Sequence, residues 1–212
     1  MKKHITQTQC ILTVIMVTFV IISNIMNAKQ IQLPFIVCNA GMFTFPIIYI
    51  LSDVFSEIYG YYWSRFTCYL SFAMNLIVVI CFSIAISCPS PEYFTASEAF
   101  KTVLGSVPRT SVASFIAFLL GDFVNDKVFA RMKEKHLNDM TGFGWRAILS
   151  SFVGELVDSC IFLPLAFIGQ MPVETLCSMI IMQVFTKTLY EVIILPVTSL
   201  CVRYINKFEN NV

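Results

Sequence analysis

Charge is scarce in this sequence: only 13% of its 212 residues are Asp, Glu, Lys or Arg, about half the quarter that a soluble domain carries. So little polar side chain cannot clothe a water-facing globule, which excludes a soluble enzyme, a nucleic-acid binder and a disordered chain. Histidine is limited to His4 and His136, both beside lysines, so a metal centre lacks ligands. The eight cysteines (Cys10, Cys38, Cys68, Cys81, Cys88, Cys160, Cys177 and Cys201) form no C-x-x-C. Most lie in apolar runs, where cysteine behaves as a small hydrophobe, so neither a disulfide framework nor a zinc site is expected. H-E-x-x-H, G-x-S-x-G and phosphate-binding glycine loops are missing as well. The chain is not expected to be an enzyme, and no cofactor is implied.

Apolar side chain is what the sequence has in quantity. Hydrophobic residues make up 57% of it and the mean hydropathy is +0.77, which predicts an integral membrane protein folded in a lipid bilayer as one domain over residues 1–212. Six apolar segments run from about Gln9 to Met26, Gly41 to Tyr59, Phe66 to Ile86, Ser111 to Val128, Ala147 to Ile168 and Val173 to Cys201. Each can cross a hydrocarbon core of ~30 Å as a helix. Their composition, without strict alternation, favours helices over a barrel, so the expected fold is an all-α bundle of six transmembrane helices. Lys2, Lys3 and His4 before the first segment look like the start of a signal peptide, but no small-x-small cleavage site follows, and the segment is read as a retained span.

Basic residues set the orientation. Ten of the 14 (Lys2, Lys3, Arg65, Lys127, Arg131, Lys133, Lys135, Arg146, Arg203 and Lys207) fall on one side, against Lys29, Lys101 and Arg109 on the other. Both termini are therefore expected in the cytoplasm, with the main basic loop after the fourth span. The largest external segment, Ser87 to Val107, holds a short helix-like stretch at Ser97–Lys101. Two halves of three spans each would be inverted relative to one another, an arrangement many transporters use.

Seven of the 13 acidic residues fall inside these spans: Asp53, Glu57, Asp122, Asp126, Glu155, Asp158 and Glu191. An Asp near mid-helix costs ~2.5–3.5 kcal/mol on insertion scales, so these groups must face the bundle interior, a water-filled cavity or one another. Asp53 and Glu57 are i, i+4, as are Asp122 with Asp126 and Lys187 with Glu191; Glu155 with Asp158, and Asn24 with Asn27, are i, i+3. Asn125 borders the Asp122 pair. Counting ~1.5 Å per residue puts Glu155, Asp158 and Lys187 near the midplane, where Lys187 can reach either carboxylate. One or two such residues could be pins that fix helix register, and Asp126 could be a helix end meeting water. Seven are too many for a scaffold and point to a polar chamber.

Other features have plainer readings. Ala113, Ala117 and Gly121 form a small-residue seam for close helix packing. Pro46, Pro164 and Pro196 lie within spans and predict kinks or breaks. Tyr59, Tyr61, Tyr62 and Trp63 beside Arg65, and Tyr204 beside Arg203, suit an interfacial belt. Phe43, Phe45 and Tyr49 could stack on a planar ligand, with core packing as the default.

Five blocks carry a resemblance: Asn24–Lys29; Phe45-Pro through Asp53 and Glu57 to Gly60-Tyr61; Pro108-Arg109 with Ala113-Ser114 through Gly121-Asp122 to Asn125; Arg146 through Gly154-Glu155 to Asp158-Ser159; and Phe185-Thr-Lys187 to Tyr190-Glu191, followed by Pro196. Together they resemble the queuosine precursor transporter family, also called the vitamin uptake transporter family. The third span and the external loop carry none of the pattern. The position of Asp122 is more often Glu or Gln in that family, and Asp126 is not part of its pattern.

The resemblance implies a multi-pass protein of the bacterial inner membrane that takes up a 7-deazaguanine: 7-cyano-7-deazaguanine, its aminomethyl relative or queuine, salvaged for queuosine in tRNA. Such a base is flat and rich in N–H donors that a carboxylate can accept in pairs, while its exocyclic oxygen could be served by Asn24, Lys29 or Arg109. The expected substrate-binding set is Asn24, Lys29, Asp53, Glu57, Arg109, Asp122, Asn125, Glu155, Asp158, Lys187 and Glu191. In it Lys187 is the charge partner of the carboxylates, and Arg109 and Lys29 stand near the outer mouth. Carboxylates that gain and lose protons could couple a secondary carrier to a proton gradient. Two alternatives stay open at this point. One is a substrate-binding subunit of an energy-coupling-factor importer, although the Ala-x-x-x-Ala seam such subunits carry on the first span lies here on the fourth. The other is an intramembrane enzyme acting through its carboxylates.

Overall fold

In the computed structural model of the chain, residues 5–33, 36–135 and 143–209 are described. Helix α1 (Gln7–Met26) begins where the side chain of Thr6, in extended backbone, accepts from the Gln9 amide at 3.1 Å, satisfying one of the donors left open at a helix start. After α1 come two short strands, β1 (Gln30–Leu33) and β2 (Ile36–Asn39), paired as a two-stranded sheet. The two residues separating them in sequence allow only antiparallel pairing. No strand was expected here, in a fold read as wholly α.

The predicted second span departs most from expectation. Residues 41–59 are not one long helix but a 3₁₀ turn (Ala40–Phe43), the ten-residue helix α2 (Phe45–Val54) and a π turn (Phe55–Tyr59). Pro46 sits in the first turn of α2 rather than in its interior, where its missing N–H costs nothing and its ring favours a helix start. The π turn then runs into Gly60 at φ +81°, a backbone state natural only for glycine. The ten residues of α2 run into the five of the π turn without a break.

Gly60 caps α3 (Tyr61–Ser87), whose first turn exposes Tyr61 and Tyr62 with the Arg65 guanidinium 5.0 Å from the Tyr61 ring centre, as an interfacial belt would. Helix α4 (Ser97–Leu104) occupies the expected place in the segment after α3. Three long helices follow: α5 (Val107–Lys135), α6 (Phe143–Phe167) and α7 (Val173–Glu209). Pro164 and Pro196 do lie inside α6 and α7. The turn from α6 to α7 is tight: Gly169 takes φ +82°, the Gln170 amide donates to the Phe167 carbonyl at 2.9 Å, and the Pro172 carbonyl accepts from Leu176 at 3.1 Å. Lys2, Lys3 and residues 136–142 of the basic loop lie outside the described residues.

Among the described residues five helical stretches are long and apolar enough to cross a membrane: Gln7–Met26, Tyr61–Ser87, Ser97–Asn125, Leu149–Phe167 and Val173–Lys207. Large apolar side chains on them stand exposed, Ile11 at 60%, Leu76 at 56% and Ile181 at 71% among them. Exposure of that kind along whole helices suits lipid, not water. The chain is a mostly helical, multi-pass membrane protein.

Packing divides the chain into two compact units: Met1–Lys29, Asn39–Pro108 and Tyr190–Val212 in the first, Gln30–Cys38 and Arg109–Leu189 in the second. The first is centred on Met16, Leu51 and Phe55, flanked by Leu12, Ile15, Val20, Ile48 and Tyr59. The second is centred on Ala113 and Ala117 of α5, Phe162, Leu163, Ala166 and Phe167 of α6, and Leu176 and Met179 of α7, with Val37 of β2 against it.

Candidate functional site

In the second unit a buried cation organises the polar residues. Lys187 projects from α7, and its side chain is 7% exposed. Its ammonium lies 2.8 Å from Glu155 Oε2 and also hydrogen-bonds Asp158 Oδ2, both on α6. A lone buried ammonium costs several kcal/mol, and so does each carboxylate; contact among the three offsets much of that penalty. The i, i+3 spacing of Glu155 and Asp158 lets one ammonium reach both. The sequence left open which carboxylate Lys187 meets, and the structure brings it to both.

The helix that carries the carboxylates is held against α5 by two glycines. A Cβ on Gly121 would stand 2.9 Å from the Gly154 carbonyl oxygen and 3.0 Å from Asp158 Cβ; one on Gly154 would stand 2.8 Å from Asn125 Cβ and 3.0 Å from the Gly121 oxygen. Only glycine at both positions allows this backbone approach. It explains the small-residue seam, since Ala113 and Ala117 are buried at 1% and 0% in the same α5–α6 core. It also sets Asn125 beside the turn of α6 bearing Glu155 and Asp158. Asp122 is half-buried on α5.

Arg109 has a structural task. From the first turn of α5 its Nε donates to the Leu165 carbonyl at 2.7 Å and an Nη to the Ile168 carbonyl at 2.8 Å. These carbonyls lie at the C-terminal end of α6, where helix acceptors lack partners and a cation is favoured.

In the first unit the buried polar residues are neutral. Asn24 and Asn27 are each 3% exposed at the end of α1, with Asn24 donating its amide to the Val20 carbonyl at 3.2 Å. Asn27 Oδ1 would lie only 2.1 Å from a Cβ on Gly41, so this glycine makes room for an amide. Lys29, Asp53 and Glu57 are exposed, and the Thr198 hydroxyl lies beside Asp53. The side chains of Asp126 and Glu191 lie outside the described residues.

Reasoning from charge missed a set of neutral groups. Gln9, Asn39, Thr67, Ser71 and Asn75 are all buried to 4% exposure or less. Thr67, Ser71 and Asn75 recur at i, i+4 and i+8 on α3, a stripe detectable in sequence had hydroxyls and amides been searched as charges were. In the second unit Ser159 (0% exposed) and Gln183 were likewise overlooked. All eight cysteines are free thiols. Among the described residues no three His, Cys, Asp or Glu side chains gather as a metal site would require.

A probable queuosine precursor transporter of Bacillus subtilis (strain 168) is 23% identical over 174 residues, covering 82% of this chain and 76% of that protein. No solved structure gives a significant match. The family described as "putative vitamin uptake transporter" matches residues 39–201. That stretch starts after Asn24 and Lys29 and contains the glycine contact, Arg109 and the Lys187 cluster. It also takes in α3, which the sequence motifs did not reach. The match extends over well more than half of the chain, and the chain belongs to the vitamin uptake transporter family.

Proposed function

We propose that the chain imports a queuosine precursor, a 7-deazaguanine base, across a bacterial inner membrane as a secondary carrier with both termini in the cytoplasm. The observation that carries this reading is the ammonium of Lys187 held by Glu155 and Asp158 inside an apolar helix bundle. Carboxylates at that depth are expensive unless they serve a ligand or ion path. They accept paired N–H donors such as those on the pyrimidine edge of a deazaguanine. The name of the Bacillus subtilis relative supports the same substrate class.

Glu155 and Asp158 accept the base, Asn125 flanks them, and Lys187 holds their charge while no ligand is bound. The proposal extends to Asn24, Lys29, Asp53, Glu57, Asp122 and Glu191 on their chemistry alone. Nothing in the structure favours the importer-subunit alternative, because the small-residue seam of α5 is buried against α6.

Asp158→Asn, with membrane expression verified, tests the assignment. A strain unable to make queuosine should fail to recover modified tRNA from external precursor when it carries this variant, and full recovery would overturn the site. Proton coupling is read in vesicles: uptake should fall when the proton gradient is collapsed, and unchanged uptake would make the carrier facilitative.

A further inference from the structure

Hydroxyls within helices of this protein commonly spend their proton on the carbonyl four residues back. Thr13 donates to Gln9, Thr18 to Val14, Ser71 to Thr67, Ser83 to Val79 and Thr102 to Glu98, at 2.7–2.8 Å, and Ser178 donates to Glu174 at 3.0 Å. In an apolar surrounding this bond is the easiest way to satisfy a hydroxyl. Ser159 of α6 is 0% exposed, and its Oγ makes no hydrogen bond, not even this local one. Other buried oxygens share that condition close to the same cluster, among them Gln183 Oε1 and Thr188 Oγ1 on α7 and Asn125 Oδ1 on α5.

Their positions are not scattered. Ser159 follows Glu155 by four residues and Gln183 precedes Lys187 by four, so each lies on the helix face that carries a member of the ion cluster. Asn125 adjoins Gly154, one residue before Glu155. A buried polar atom without a partner costs about 1–3 kcal/mol, and Ser159, Gln183 and Asn125, placed by helical spacing and by the Gly154 contact on the side of one charged cluster, call for an occupant that supplies what they lack.

We infer that Ser159 and Gln183, with Asn125, form a neutral hydrogen-bonding wall that reads the amide edge of a planar cyclic ligand; this rests on the proposed transport of such a base. The division of labour follows from chemistry. Carboxylates take a pair of N–H donors but cannot donate to a carbonyl. A carboxamide can turn to offer its oxygen or its NH₂, and can meet an adjacent N–H and C=O with two bonds at once. A hydroxyl gives or accepts as needed. Such a wall distinguishes a cyclic amide from a ring that has amino groups alone.

The test uses the purified full-length protein and the variants Ser159→Ala and Gln183→Met, which keep volume and remove the polar group. Melting temperature is recorded without ligand, and affinity is measured for 7-cyano-7-deazaguanine, its aminomethyl relative, guanine, thymine and riboflavin. Each variant should melt at or above the parent's temperature while binding the deazaguanines about tenfold more weakly. A lower melting temperature would show that these groups serve the fold, and unchanged affinity would show that they do not touch the ligand; either result overturns the inference. If the parent binds guanine, thymine or riboflavin but no deazaguanine, with the variants weakened, the proposed substrate falls and the wall stands. If the parent binds none of the five, both fall.

Discussion

In one compact unit an ion cluster is buried among amides and hydroxyls, and in the other the buried polar groups are amides and hydroxyls without an ion. Lys187, Glu155 and Asp158 satisfy one another on α6 and α7, while Arg109 closes the end of α6. In the first unit Asn27 Oδ1, Asn39 Nδ2, Thr67 Oγ1 and Asn75 Oδ1 are buried without a hydrogen bond. A neutral group left alone costs about 1–3 kcal/mol, whereas a buried charge left alone costs several. Both units are polar inside, but the ion cluster of the second depends on each of its members being present.

That contrast can be broken first at Lys187. Lys187→Met leaves two carboxylates without their cation and should cost about 3–5 kcal/mol, the range for breaking a buried pair. Thermal unfolding of the purified variant measures it. Adding Glu155→Gln and Asp158→Asn should restore most of the lost stability but no transport. A triple variant as unstable as the single one would show that charge matching is not what holds α6 to α7.

The glycines sharpen the comparison at intermediate size. Gly154→Ala drives a methyl against Asn125 Cβ and the Gly121 carbonyl, neither of which can move without shifting α5, for about 1–3 kcal/mol and reduced uptake. Gly41→Ala meets chiefly the amide end of Asn27, a side chain that can turn aside, and should cost under ~1 kcal/mol. Equal losses at the two sites would mean that the α5–α6 contact is as yielding as a side chain. Smallest of all, Asn75→Leu removes an oxygen that has no partner and should move stability by less than ~1 kcal/mol, in either direction. A large loss there would give the neutral interior the same all-or-nothing character as the charged one.

Much of the charged unit was legible in the sequence, because an ion in an apolar segment contrasts sharply with its surroundings, and helical spacing with depth suffices to pair Lys187 with its carboxylates. The neutral set was not, since Thr67, Ser71 and Asn75 lower the hydropathy of α3 too little to stand out. The helix-capping contacts of Arg109 were not legible, for sequence cannot show that a cation reaches carbonyls 56 and 59 residues away. In the second segment the change from α to π winding at Phe55 was not legible, because hydropathy records composition and not hydrogen-bond register. The pair β1–β2 escaped because Gln30-Ile31-Gln32-Leu33 alternates over only four residues. Gly154 was visible, but its role depends on which way α6 is turned.

The contact of Gly121 with Gly154 has a kinematic consequence. Two helices touching backbone to backbone resist rotation about their own axes, so in the proposed transport cycle α5 and α6 would move together. An ion cluster has no such constraint, because an ammonium can leave a carboxylate as soon as another donor takes its place. In the carrier cycle proposed above, the Lys187 contact between α6 and α7 can part while the Gly121–Gly154 contact cannot.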